Sequence, residues 1–143
     1  MPTLSAAVAA AGSALSAERI RLEAAVSNLA NAESTRGPDG QPYRRRDVIL
    51  STADVNSFDA ALGRASNAVG VKVVAVVEDQ SAFRRRYEPS HPDADAEGFV
   101  ALPNVDAADE MVDMLSATRA YQANLTAIGL IRDLVQRSLE LGR

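Results

Sequence analysis

Two long stretches of apolar residues, spaced by alternating steps of three and four, lie at the two ends of this chain and constrain its fold more than anything else. In the first, Leu4, Val8, Ala11, Leu15, Leu22, Ala25 and Leu29 recur on one face between residues 3 and 32, with Glu18 the one polar member of the series. In the second, Met111, Met114, Thr118, Tyr121, Leu125, Ile128, Arg132, Val135 and Leu139 keep the same rhythm from Asp106 to Leu141. This spacing predicts two amphipathic helices whose seams run lengthwise against other helices. At about 1.5 Å per residue they would be roughly 40 and 50 Å long. Ile20 and Val26 widen the first stripe, and Leu115, Leu130, Ile131 and Leu134 the second, so each helix can serve more than one neighbour. In a chain of 143 residues such helices must pair with each other or with other chains.

Composition supports that reading. Apolar residues make up 47% of the chain but aromatics only 4%, and much of the apolar share is alanine. Few large side chains remain for a compact core, so the helices need something else against which to finish burying their faces. A net charge of −4 gives no global basic field to attract nucleic acid. Cysteine is absent, which excludes disulfides and thiolate metal sites and leaves the redox compartment open. Residues 1–15 have neither a basic leader nor a leucine-rich core of the secretory type, and no segment approaches the roughly 18–20 strongly apolar residues of a membrane span. Taken alone, these residues imply a soluble cytoplasmic protein.

Between the helices the pattern changes. Residues 36–43 (RGPDGQPY) are turn chemistry, and Val48–Leu50 and Val71–Val77 read as strands. Ser57–Arg64 suits a short helical turn, and AFRRRYE and GFVAL are two further short strands. The expected fold class is mainly α with a small β-rich middle: long N- and C-terminal helices packed together in a coiled-coil-like way, plus a short irregular β module. Residues 1–32 and 104–143 would form the terminal helical assembly domain, and 33–103 the β-rich module. Asp106 is placed to cap the second helix, with Asp109 and Glu110 in its first turn where negative charge suits the helix dipole.

Catalysis has little to draw on. His91 is the only histidine, in a Pro-rich turn with Asp93 and Asp95, and reads as part of a solvated turn and not as a metal site. Neither a nucleophile–base constellation nor a phosphate-binding loop appears, so the chain is expected to be no enzyme and to need no cofactor or metal. The arginine triplets Arg44–Arg46 and Arg84–Arg86 could stack into a basic face for nucleic acid, but in an acidic chain they are expected to pair with carboxylates, within the chain or on adjacent subunits. The seams by themselves suit an intramolecular helical hairpin, as in a coiled-coil adaptor or scaffold protein.

Two motif blocks reverse that order. Ser27-Asn28-Leu29-Ala30-Asn31 breaks the first helix, and it resembles the signature shared by the axial rod and hook proteins of the bacterial flagellum. Glu33 departs from the family pattern, which usually continues Ala-Asn-Thr. Tyr43-Arg44-Arg45, the turn His91–Asp95, Gly98-Phe99-Val100, Pro103-Asn104-Val105, Glu110-Met111-Val112 and Arg119–Asn124 resemble the proximal-rod member of that family. Its distal-rod and hook members carry larger middle domains than this chain has.

The resemblance implies a structural subunit of the proximal rod of the bacterial flagellar basal body. Such a subunit self-assembles through its terminal helices into the helical drive shaft that transmits torque and encloses the export channel. Implied partners are copies of itself, other proximal and distal rod proteins, the basal-body ring and export-gate base, and the type III export apparatus in transit. No nucleic acid and no direct membrane insertion are implied. The location would be the periplasm-spanning rod, reached without a cleaved signal peptide, with terminal helices poorly ordered before assembly. Asn28, Asn31 and Asn104 are expected to hold the helix-to-module junctions by side-chain–backbone hydrogen bonds, and Pro103 to set the start of the second helix. Leu15, Leu22, Leu29, Met111, Leu115, Tyr121, Leu125 and Ile128 would form the seams; Ala30, Val105, Glu110 and Asn124 complete the motif set.

Overall fold

Along the described residues a helix, four strands and a second helix follow one another, as the change of pattern from three-and-four spacing to alternation requires. The computed structural model describes residues 4–54 and 69–141. Helix α1 spans Leu4–Asn31 and α2 spans Ala107–Leu141; between them lie β1 (Arg46–Asp54), β2 (Val69–Glu78), β3 (Arg84–Tyr87) and β4 (Phe99–Leu102). β1 pairs with β2, and β3 pairs with β4 in a second two-stranded sheet. The fold is thus mainly helical with a small β part, and all four expected strands are present. The helical turn expected at Ser57–Arg64 lies outside the described residues.

The chain divides into two compact units, and the division cuts both helices. One unit comprises residues 21–48 and 76–115. Its core is built on β4, where alternation turns Val100 and Leu102 inward and leaves Ala101 exposed. Pro103 and Val105 extend the buried row to the start of α2, and Ala25 on α1 and Ala32 just past its end are buried too. β3 and β4 run antiparallel with Arg84 opposite Leu102 and Tyr87 opposite Phe99. The Tyr87 and Phe99 rings meet edge to face, 5.3 Å between centroids. Gly98 precedes β4 with φ +84°, and a Cβ there would stand 2.9 Å from Cε2 of Tyr87. Only glycine satisfies both the backbone angle and the ring above it.

The other unit comprises residues 1–20, 49–75 and 116–143, as far as these are described. Its fully buried apolar side chains on the helices are alanines: Ala6, Ala11, Ala17 and Ala117. Alanine permits close approach but removes little area from water, at about 25 cal/mol per Å². Ser13, a weak helix former by propensity, does specific work: its Oγ donates to the carbonyl of Ala10 at 2.7 Å and accepts the N–H of Val71 on β2 at 3.0 Å. Among the described residues no helix is long and apolar enough to cross a membrane.

Candidate functional site

The residues singled out by motif separate into two groups. Asn28, Pro103, Val105 and Glu110 are fully buried, and with Asn31 and Asn104 they sit at the junction of α1, β1 and α2 within one unit. Leu15, Leu22, Leu29, Tyr121, Asn124 and Ile128 are half-buried along the helices, while Ala30, Met111, Leu115 and Leu125 are exposed. The first group is occupied inside the chain. The second retains apolar surface.

At the junction Asn28 makes every hydrogen bond its side chain can make. Its Nδ2 donates to the carbonyl of Arg46 and to Oε2 of Glu110, both at 3.0 Å. Its Oδ1 accepts the N–H of Arg46 and the hydroxyl of Tyr43, both at 2.9 Å. Because the Tyr43 proton goes to Asn28, the Ser27 hydroxyl, 3.2 Å away, is left to donate to the Tyr43 oxygen. Toward the backbone of Arg46 the side-chain amide therefore behaves like a neighbouring strand. Asn104 does the same one residue earlier: its Oδ1 accepts the N–H of Arg45 at 2.9 Å, and its Nδ2 donates to the carbonyl of Asp79 and the hydroxyl of Ser81. Asp79 N–H closes onto the carbonyl of Arg45 at 2.8 Å. Two asparagines, one on α1 and one in the turn before α2, thus fix the chain at Arg45 and Arg46 where β1 begins. Asn31 acts within α1, donating to the carbonyl of Ser27 at 2.8 Å.

The charge at the centre is Glu110, 1% exposed. One carboxylate oxygen accepts from Asn28 and the other from Nε of Arg45. Arg45 also reaches Asp47 and, at 3.5 Å, Asp113. Burial by itself disfavours the Arg45 cation, but its hydrogen bond and attraction to Glu110, with Asp47 and Asp113 adding, hold its pKa above the ordinary value. Removing either partner would leave an uncompensated buried charge. A small polar cleft beside this pair is lined by Arg21, Asn28, Arg46, Asp47 and Asp113. Among the described residues no buried side-chain polar atom is left without a partner.

The remaining arginines of the two triplets are also engaged. Arg44 stacks on Phe83 at 4.4 Å and Arg46 on Tyr43 at 5.5 Å. Arg84 and Arg86 pair with Glu33, Arg86 also with Glu88, and Arg85 with Asp95 and Glu97. Glu33, the departure from the family pattern, is therefore the carboxylate that meets β3. The His91–Asp95 segment is an ordered turn: Nδ1 of His91 accepts the N–H of Asp93, and Asp93 accepts from Thr35 and pairs with Arg36. Oδ1 of Asp95 accepts the N–H groups of Glu97 and Phe99. The bond from Phe99, opposed by slight desolvation and reinforced by Arg85 and Glu97, holds the Asp95 carboxyl below its ordinary pKa. At the start of α2, Asp106 caps the helix by accepting the N–H of Ala108 at 2.8 Å.

Sequence reasoning missed two features. Glu110 is the buried counter-ion of Arg45 and not a solvated charge at a helix start, and a separation of 65 positions along the chain hides the pairing. Ser13 is a docking point for β2, and no pattern in the sequence around it points to that contact.

Comparison with known proteins places this architecture in a class. Residues 9–38 match the family "Flagella basal body rod protein", and residues 96–141 match "Flagellar basal body rod FlgEFG protein C-terminal". The first match ends α1 and contains Asn28 and Asn31; the second begins just before β4 and contains Asn104 and Glu110. The class is thus that of flagellar basal-body rod proteins. Within it, the flagellar basal-body rod protein FlgC of Salmonella typhimurium is 47% identical over 93% of both chains. FlgC of Bacillus subtilis is 43% identical over 92% of this chain and 93% of its own. That of Agrobacterium fabrum is 40% identical over 99% and 96%. The chain belongs to the FlgC family of flagellar basal-body rod proteins.

Proposed function

We propose that the chain is a structural, non-catalytic subunit of the proximal rod of the flagellar basal body, built into the shaft through its terminal helices. The observation that carries this reading is the distribution of large apolar side chains. Val100, Leu102 and Val105 satisfy the small core, whereas Leu125, Leu130, Leu134, Leu139 and Leu141 on α2 are half to nine-tenths exposed, as are Leu4 on α1 and Met111 and Leu115 on α2. A shallow apolar groove lined by Leu4, Val8, Ile128, Ile131 and Val135 lies on the same unit as the outer leucines. Surface of that size, arranged along helices, suits burial against several copies at once. The terminal helices would then form the inner, assembling layer, with coiled-coil-like seams between subunits, and residues 33–103 would form the module outside it.

Neighbouring subunits would be copies of this chain, the other proximal and distal rod proteins and the basal-body ring and export-gate base. The subunit would reach the periplasm-spanning rod through the type III export apparatus without a cleaved signal. Helices locked side by side carry torque along the shaft while leaving a central channel open. The adaptor reading explains the seams but not the amount of apolar surface left uncovered in one chain. Quantitative mass spectrometry on purified hook–basal bodies of the source bacterium tests the proposal. A fixed ratio of this chain to the other rod proteins is expected; its absence from intact particles would overturn the assignment.

A further inference from the structure

We infer that Arg46 is the anchor of a docking site for a single aspartate or glutamate side chain on a peptide segment of a partner protein. The site is a second, larger polar cleft, between the turn at residues 37–42 and the start of β1.

Arg46 stands apart from the other five arginines of the two triplets. Arg45, Arg84, Arg85 and Arg86 each meet at least one carboxylate. Arg44 donates to the carbonyls of Asp79 and Ser81 at 3.3 and 3.4 Å. The Arg46 guanidinium meets the ring of Tyr43 and, among the described residues, no hydrogen-bond acceptor. It is exposed, so its planar fork of N–H donors is open to a carboxylate.

An unpaired surface arginine is ordinarily a loose side chain in water, but this one is held. Asn28 fixes its backbone from both sides, accepting the N–H of Arg46 and donating to its carbonyl. The same asparagine accepts the hydroxyl of Tyr43, whose ring lies 5.5 Å from the guanidinium carbon. One buried side chain thus sets both the root of the cation and the platform beneath it. A donor fork held in place loses little freedom on binding, and arginine presented in this way commonly anchors interfaces.

The guanidinium opens onto a cleft of about 620 Å³ whose walls also carry Arg36, Arg44, Asp39 and Glu78. Arg36 is paired with Asp93, Arg44 is bound to its two carbonyls, and Oδ1 of Asp39 accepts the N–H of Gln41. That leaves one open cation, which suits one carboxylate. A nucleic-acid strand brings a charge at every phosphate and gains from several cations at once; here its neighbouring phosphates would face Asp39 and Glu78. An acidic side chain flanked by neutral residues meets the cation and avoids that repulsion.

The site belongs to the single chain, so its test does not depend on where the chain assembles. Two-dimensional NMR on the full chain, at a concentration where sedimentation shows a monomer, follows titration with the blocked peptide Ser-Gly-Glu-Gly-Ser. The Nε–H signal of Arg46 and the amides of Gly37, Gly40 and Tyr43 are expected to move together and to saturation, with the Nε–H signals of Arg84 and Arg86 left in place. Arg46→Gln should weaken the peptide by about tenfold, the loss of one charge-assisted pair. The urea midpoint of that variant should stay that of wild type, because the guanidinium holds no other group of the chain by a hydrogen bond. Equal movement of all exposed arginine signals, an equal response to the glutamine counterpart of the peptide, or unchanged affinity in Arg46→Gln would overturn the inference. So would tighter binding of hexathymidylate than of the peptide, which would make the cleft a nucleic-acid contact.

Discussion

Replacing Asn28 by aspartate changes one NH2 group into an oxygen, with almost no change of volume. Two acceptors then lose their donors: the carbonyl of Arg46 and Oε2 of Glu110, each 3.0 Å from Nδ2 in the native chain. The new carboxylate oxygen also faces the buried Glu110 carboxylate, for which only Arg45 supplies positive charge in hydrogen-bond contact. Each desolvated acceptor left unpaired costs about 1–3 kcal/mol, and an uncompensated charge at a buried ion pair costs about 3–5 kcal/mol. These costs overlap, and a total of about 4 kcal/mol is expected, a large share of the stability of an ordinary domain. Asn28→Ala removes the same donors and also the Oδ1 acceptor of the Arg46 N–H and the Tyr43 hydroxyl. It adds no charge, however, and water can enter the polar cleft beside it to pair with the freed groups, so about 2–3 kcal/mol is expected. Urea unfolding of the full chain at neutral pH, followed by far-ultraviolet circular dichroism, measures both. The order wild type, alanine, aspartate is the required result. An aspartate variant within about 1 kcal/mol of wild type, or one milder than alanine, would refute the role assigned to the asparagine amide.

Two further outcomes follow from the same unit. Gly98→Ala forces a positive φ on a side-chain-bearing residue and drives a Cβ against Tyr87 and Pro89; a loss of about 2–3 kcal/mol in the same titration is expected, and a neutral result would show that the turn rearranges freely. Asp95 has a depressed pKa in the folded chain, so its contribution is complete above the unfolded carboxylate value near about pH 4 and disappears as pH falls through its lower folded value. The amide resonances of Glu97 and Phe99 should therefore hold steady from neutral pH down to that region and move only below it; titration at higher pH would contradict the hydrogen bonds assigned to Asp95.

Much of this architecture was legible because its causes are local. β2 and β4 announce themselves through β-branched residues and alternation, Asp106 through its place before an apolar run, and Asn28 and Asn104 through the turn chemistry around them. What stayed hidden is non-local. Nothing near Arg45 marks it, among six arginines in two triplets, as the one that meets a buried glutamate far along the chain. The buried stripe of α1 was also hidden, because counting leucines finds the most hydrophobic line and not the closest packed one. Ala6, Ala17 and Asn28 lie about three turns apart on a small-residue face that is buried, while Leu15, Leu22 and Leu29 remain half-exposed. A single chain therefore leaves its strongest apolar signal unsatisfied, as a subunit of a larger assembly should.

Leu125→Asp puts that last point to its most direct test, with two readouts on one variant. Leu125 is 49% exposed in the single chain, so the free variant should unfold within about 0.5 kcal/mol of wild type. In the flagellated cell the same variant should be made at normal levels, be missing from purified basal bodies and leave the cells non-motile. Normal incorporation and motility with an aspartate at this position would contradict the assignment of the terminal helices as the faces that build the rod.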